Sequence, residues 1–108
     1  MADKLKNYTL GRWIEGDGPG TALYHAISGE ELFFSTSKGL DFGAALEYGR
    51  KNGTRLRKMT FHERARMLKA LALFLNEKKK SYYSLSAATG ATKADSWIDI
   101  DGGIGNLF

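Results

Sequence analysis

Two glycines near the end of the chain have a spacing that could hold a phosphate group. A dinucleotide-binding loop needs a strand before its glycines and, after them, a helix whose N-terminus faces the pyrophosphate. In Gly103-Ile104-Gly105 the third glycine of that motif is replaced by Phe108, and aspartates at positions 95, 99 and 101 would repel phosphate. The pattern favours instead a helix with small residues where another helix crosses closely, although each glycine costs a helix about 1 kcal/mol relative to alanine.

Residue types that bind metals are present, but not at the spacing of ligands. His25 and His62 lie far apart, and neither has a carboxylate or a second histidine at a ligand position. Asp95, Asp99 and Asp101 resemble the start of a calcium loop, but the glycine and the final glutamate of such a loop are missing. We therefore predict no metal site.

Nucleophilic chemistry has no support in the sequence either. The chain contains no cysteine, which excludes a disulfide, a cysteine-ligated zinc site and a cysteine nucleophile of its own. The hydroxyls of Ser84 and Ser86 have no base near them in sequence that could activate them. The sequence thus assigns no catalytic, cofactor-binding or metal-binding residue and no bound cofactor to this chain.

Positive charge is concentrated in the middle of the chain. The segment from Arg50 to Lys80 has eleven basic and two acidic residues, whereas the rest has five basic and ten acidic residues. Nucleic-acid binding would require aromatic residues among the cations, but the rings nearest to the stretch from Arg50 to Lys58 are those of Tyr48 and Phe61, outside it. We interpret this stretch as a solvated or partner-facing loop and expect no nucleic-acid partner. A small basic nucleic-acid-binding module or a helical protein-interaction module is the alternative function.

Length and composition indicate one soluble domain. A chain of 108 residues that is 43% hydrophobic and 12% aromatic can build a modest core. No run approaches the ~20 apolar residues of a membrane span, and the N-terminal residues lack the apolar region of a secretory signal. We expect a cytoplasmic protein with no membrane partner.

The elements that carry these residues change in type along the chain. Alternation around Gly11 predicts two short strands, and Thr21–Ser28 and Glu31–Thr36 predict a second pair joined by a turn at Gly29 and Glu30. After residue 37 the period becomes helical. We therefore predict an α+β chain with antiparallel β-hairpins in residues 1–37 and three or four helices in residues 38–108.

Start and stop residues define the helices. Asp41 is expected to cap a first helix that ends at Gly53. Thr60 and Glu63 form a capping box before a long helix that is expected to run to Lys80. A further helix from Tyr82 to about Thr89 would stop at Gly90, and a last helix would be capped by Thr92 or Asp95. The residues from Ala70 to Leu75 are apolar all round, and this surface predicts a homo-oligomer.

Several separated segments together resemble aldehyde dehydrogenases. Asn7–Ile14, with its Gly-x-Trp sequence, and His25–Glu30 are similar to the opening strand and the following turn of that family. Met59–Leu68 resembles its Arg-x-x-x-Leu helix, and Leu85–Gly90 resembles the end of the next helix. The resemblance is to one branch of the family, the bifunctional proteins of phenylacetate catabolism in which a semialdehyde dehydrogenase is fused to an oxepin-CoA hydrolase. Further matching segments are Ala88–Trp97 and Asp101–Phe108.

The resemblance implies that this chain is the N-terminal portion of a larger α/β enzyme that oxidises a CoA-linked semialdehyde with NADP or NAD. The nucleophilic cysteine, the general-base glutamate, the oxyanion-hole asparagine and the cofactor glycine motif of the family all lie beyond residue 108. Residues 1–108 are therefore expected to contain no complete catalytic domain, to be inactive alone and to have the remainder of the parent enzyme as partner. Leu107 and Phe108 carry no helix stop signal, so we interpret them as a cut edge.

Overall fold

The computed structural model describes residues 3–108, which form five short β-strands followed by four α-helices. The strands are β1 (Asp3–Lys4), β2 (Lys6–Thr9), β3 (Arg12–Glu15), β4 (Thr21–Tyr24) and β5 (Glu31–Ser35), and the helices are α1 (Phe42–Asn52), α2 (Thr54–Lys58), α3 (Phe61–Ala88) and α4 (Lys93–Gly105). This order confirms the predicted α+β class. The chain divides into two compact units, one up to Arg55 and one from Leu56 onward. The predicted change from strands to helices at residue 38 therefore does not coincide with the division into units.

The first hairpin pairs β2 with β3 in antiparallel register, as predicted from the alternation around Gly11. Leu10 and Gly11 both have positive φ, of 55° and 73°, so the turn uses the left-handed region that glycine tolerates best. The rings of Tyr8 and Trp13, which face each other across the hairpin, meet edge to face with their centroids 5.1 Å apart. Aromatic contact therefore supports the register that the turn sets.

The second strand pair is shorter than the sequence predicts. β4 pairs with β5 in antiparallel register but ends at Tyr24, and the residues after it form a turn up to Glu30. The prediction of a strand over Thr21–Ser28 is wrong there because the Nδ1 atom of His25 accepts hydrogen bonds from the amides of Ile27 and Ser28, which bends the chain. β1 adds a parallel partner to β5 that was not predicted.

The first helix has the predicted bounds, whereas the basic stretch after it differs from its prediction. The Asp41 side chain accepts a hydrogen bond from the amide of Ala44 at the start of α1, and Gly53 caps its end. The loop predicted from Arg50 to Lys58 is wrong, because this stretch consists of the end of α1 and the short helix α2. Arginine and lysine are good helix formers, which favours helix over loop here.

One uninterrupted helix replaces two predicted ones. α3 runs for 28 residues from Phe61 to Ala88, through the predicted break after Lys80. Thr60 and Glu63 form the predicted capping box, and Gly90 with φ of 91° follows the end of the helix. No residue near Lys80 is a helix breaker, so the three consecutive lysines do not interrupt the helix.

The last helix contains the glycine cluster. Thr92 is the N-cap of α4, and Asp95 completes a capping box with it, so the two alternative caps act together. Gly102, Gly103 and Gly105 lie inside α4, which confirms the helical interpretation over the phosphate loop. The expected close helix crossing is wrong within the described chain, because a Cβ added at any of these glycines would have nothing within 4 Å.

Little of the apolar surface is enclosed. Among residues 3–108 the buried apolar residues are Ala72, on α3, and Ile104, on α4. Many large apolar side chains are exposed by contrast, including Leu71, Leu73, Phe74, Trp97 and Ile98 on the two long helices. A protein of this composition ordinarily buries far more of its large apolar side chains.

Candidate functional site at the seam of α3 and α4

A cluster of three polar side chains joins α3 to α4. Lys79 and Tyr83 are four residues apart on α3 and therefore project from the same face of the helix. The Lys79 ammonium donates a hydrogen bond to Oδ1 of Asp101, at 2.6 Å, and the Tyr83 hydroxyl donates to its Oδ2. The side chain of Asp101 is only 16% exposed. Both carboxylate oxygens are therefore held by donors from the neighbouring helix.

The electrostatics of this cluster oppose acid–base chemistry near neutral pH. Hydrogen bonds from Lys79 and then from Tyr83 lower the pKa of Asp101 below its ordinary value of 3.8. The hydrogen bond to Asp101 is also the main cause that raises the pKa of Tyr83 above 10.0. Asp101 consequently stays ionised and Tyr83 stays protonated at neutral pH. The arrangement fits a structural link between two helices and not a general base with its acid.

A second polar contact lies nearer the start of α4. The hydroxyl of Ser96 is 2.8 Å from that of Ser86 on α3, and Ser96 is 2% exposed. A buried hydroxyl requires a partner, which the serine of the facing helix supplies. Together with the Asp101 cluster, this contact sets the position of α4 along α3.

An open cleft lies beside the seam and is named here the lysine cleft. It has a volume of about 620 Å³, with apolar atoms making up most of its surface. The cleft is lined by the lysines at positions 79, 80 and 93 together with Tyr83, Ala87 and Ala91, and by the two serines at positions 84 and 96. No acidic residue of the described chain lines it.

A second, more apolar depression adjoins the lysine cleft and is named here the Trp97 groove. Tyr83 and Lys93 line both of them, and Ala94, Trp97 and Ile98 complete the groove. The surface of the groove is almost wholly apolar. The two depressions therefore form one surface along the N-terminal half of α4 and the C-terminal half of α3.

The histidines and aspartates considered for metal binding in the sequence do not form one cluster in the structure. His25 stabilises the turn after β4, and His62 is exposed in the first turn of α3. Asp95 caps α4, Asp99 is exposed, and Asp101 belongs to the seam. Residues 3–108 contain no group of three or more histidine, cysteine, aspartate or glutamate residues that could hold a metal ion.

The two serines singled out in the sequence also have structural partners. The Ser84 hydroxyl donates to the carbonyl of Ser81, one turn earlier, and Ser86 is the partner of Ser96. The Lys79, Tyr83 and Asp101 cluster was not predicted from the sequence. Its one signal was the spacing of Lys79 and Tyr83, and this spacing is uninformative until the position of α4 is known.

The basic part of α3 holds one residue in an unusual environment. The Arg64 guanidinium lies 4.9 Å from the centroid of the Phe61 ring, in a cation–π contact. Its Nε atom is buried, and no hydrogen-bond partner for it is found in the described chain.

Within residues 3–108, no helix combines the length and the apolar character needed to cross a membrane.

Comparison with known proteins is informative for most of the chain. No protein-family model matches it. Its sequence is nevertheless similar to a dehydrogenase of CoA-linked semialdehydes, which confirms the resemblance drawn from the separated motifs. That relative is the 3,4-dehydroadipyl-CoA semialdehyde dehydrogenase of Aromatoleum evansii, to which the chain is 43% identical over 103 residues. The match covers 94% of this chain but 20% of the relative, so the chain spans about a fifth of the length of the protein that it matches.

Proposed function

We propose that the chain is a structural segment of an NAD(P)-dependent aldehyde dehydrogenase that acts on a CoA-linked semialdehyde in phenylacetate catabolism, and that it is inactive by itself. The observation that carries this proposal is the 43% identity over 94% of the chain to a semialdehyde dehydrogenase of which it spans 20%. A similarity that extends through strands and helices alike is expected when two segments occupy the same place in one fold.

The chemistry of aldehyde oxidation supports the inactivity of the isolated chain. A thiohemiacetal route requires a cysteine thiolate, and hydrogen-bond donors that stabilise the oxyanion as it forms. The chain has no cysteine. The pKa of Asp101 is lowered and the pKa of Tyr83 is raised. Neither group can therefore act as an effective general base near neutral pH to activate another nucleophile there. The nucleophile would therefore have to come from other parts of the enzyme.

The residues of this chain do not fit a nicotinamide cofactor either. A pyrophosphate is held by glycines in a loop between a strand and a helix N-terminus. Gly102, Gly103 and Gly105 are instead inside α4, and carboxylates precede them in the same helix. The proposed contribution of residues 3–108 is architectural, through the polar links that hold α4 on α3.

An activity assay with two arms tests the proposal. The purified chain, incubated with a short aliphatic aldehyde and with NAD or NADP, is expected to give no nucleotide reduction above that of a mock purification. The chain co-expressed with the remaining four-fifths of the Aromatoleum evansii relative is expected to form a complex that reduces the nucleotide. Turnover by the chain alone would contradict inactivity, and failure to associate with that remainder would contradict the structural role.

A further inference from the structure

We propose that the lysine cleft and the Trp97 groove form one docking surface for an apolar segment with acidic residues from the remainder of the longer dehydrogenase chain. This inference rests on the proposed function and adds to it the surface that makes the contact and the chemistry of the partner segment. The occupant is a polypeptide segment of the same enzyme and not a small ligand or a second copy.

Large apolar side chains are uncovered beside the groove. Trp97 is 61% exposed and Ile98 is 66% exposed, although they are neighbours in the middle of α4, a helix that packs on α3. Between them and Tyr83 the groove has almost no polar surface. Tryptophan left in water forfeits a large burial energy, and exposed tryptophan beside an apolar groove is typical of protein contacts.

The lysine cleft carries an excess of positive charge. The ammonium of Lys79 is neutralised by Asp101 at 2.6 Å. Lys80 and Lys93 also line the cleft, and no ion pair involving either is found within residues 3–108. Because no acidic residue of the described chain is among the residues that line the cleft, these two ammonium groups favour carboxylates on the segment that covers it.

The length of the relative supports an occupant from the same enzyme. The semialdehyde dehydrogenase that this chain matches is about five times as long as the matched segment, since the match covers 20% of it. Tyr83 and Lys93 line both depressions, and each depression is open to solvent, so a surface of this extent suits an extended or helical segment better than a single compact ligand. The acidic and apolar segment is therefore expected within the other four-fifths of such an enzyme.

A peptide series tests the proposal without requiring the remainder to fold. Overlapping short peptides that cover the rest of the Aromatoleum evansii relative are titrated against the 108-residue chain by fluorescence anisotropy. We expect binding by peptides that combine aromatic or branched aliphatic residues with aspartate or glutamate. Trp97→Ala and Lys93→Glu are each expected to weaken that binding about tenfold or more.

Matched variants provide the controls. Trp13→Ala removes an aromatic ring of similar exposure, 66%, from the first hairpin, and Lys69→Glu reverses an exposed charge elsewhere on α3. Both are expected to bind within about twofold of the unsubstituted chain. Far-ultraviolet circular dichroism must show the same helix content for all four variants. Equal losses in the control variants would overturn the assignment to this surface.

Co-purification separates this inference from the function on which it rests. The four variants are each co-expressed with the remainder of the relative, and complex yield and nucleotide reduction are measured. If Trp97→Ala and Lys93→Glu change neither the complex yield nor the nucleotide reduction, the docking surface is refuted and the proposed function is left intact. If the unsubstituted chain forms no complex and binds no peptide, both proposals are wrong. Binding by decyl phosphate alone, with no peptide bound, would assign the cleft to a small amphipathic anion instead.

Discussion

At the scale of single residues, Asp101 has the most specific environment in the described chain. Its two oxygens accept hydrogen bonds from Lys79 and Tyr83, so removal of its charge would leave an ammonium without its partner at the seam. A carboxylate with two donors and little exposure is far more constrained than a surface ion pair. The same contacts make the stability of the seam dependent on pH.

The expected result for Asp101→Asn is a lower melting temperature at neutral pH and a flatter acid limb of the stability profile. Because folding lowers the pKa of Asp101, its contribution to stability is present above the ordinary pKa of 3.8 and is lost as pH falls through the lower pKa of the folded state. Thermal unfolding between pH 2 and pH 7, followed by circular dichroism, measures this. The difference between the unsubstituted chain and the variant should therefore shrink below about pH 4.

Asp99→Asn on the same helix is the control, since Asp99 is exposed. It should leave the acid limb nearly unchanged. An unchanged profile for Asp101→Asn would show that the seam contacts do not contribute to stability.

At the scale of elements, capping residues decide where the helices begin, and glycines inside a helix lower its stability. The capping boxes of α3 and α4 were visible in the sequence because a cap depends on residues within three positions of one another. The continuity of α3 through Lys80 was not evident from the sequence, since propensity alone allows either one long helix or two short ones. Packing against α4 is the added interaction that an uninterrupted α3 can make.

Gly103→Ala is expected to stabilise the isolated chain by about 1 kcal/mol, because alanine is the better helix former and the added methyl group meets no atom within 4 Å. Urea unfolding followed at 222 nm gives the free energy of unfolding. The contrasting variant is Gly20→Ala, which should destabilise, since φ at Gly20 is 79° and its Cβ would lie 2.8 Å from the Ser35 carbonyl oxygen. A loss of stability in Gly103→Ala would show that α4 is crossed closely after all.

At the scale of the whole molecule, exposed apolar surface is the dominant feature. The buried apolar residues of the described chain number two, whereas Leu71, Leu73 and Phe74 on α3 are each 44% or more exposed. Such a surface lowers its free energy by contact with another chain. When no other polypeptide covers this surface, the apolar side chains can be buried by contact between copies of the chain.

We therefore propose that the isolated chain self-associates through the apolar part of α3. Light scattering coupled to size-exclusion chromatography should show a mass above that of the 11.9 kDa monomer, increasing with concentration. Leu73→Glu, which replaces a side chain that is 51% exposed, should shift the mass towards the monomer. Leu46→Glu on α1, with 58% exposure, is the matched control and should not. A compact monomer at high concentration would contradict this proposal.

Local features of this protein were determined by its sequence alone. The Gly11 hairpin, the Asp41 and Thr60 helix starts, the helix end at Gly90 and the helical nature of the glycine cluster all depend on neighbours within a few positions. The absence of cysteine likewise excluded a disulfide, a cysteine-ligated zinc site and a cysteine nucleophile without any knowledge of the fold. Several separated segments, taken together, also carried the semialdehyde dehydrogenase resemblance that comparison confirmed.

Other features were decided by the tertiary structure. β1 beside β5 and Asp101 between Lys79 and Tyr83 are contacts across about 20 or more positions, and nothing in a local pattern specifies such a pairing. The same holds for the Trp97 groove. Its apolar residues could be identified in the sequence, but the exposure of their side chains could not. Local patterns follow backbone preferences and short hydrogen bonds, whereas the seam and the uncovered surface depend on which distant faces bury each other in the folded chain.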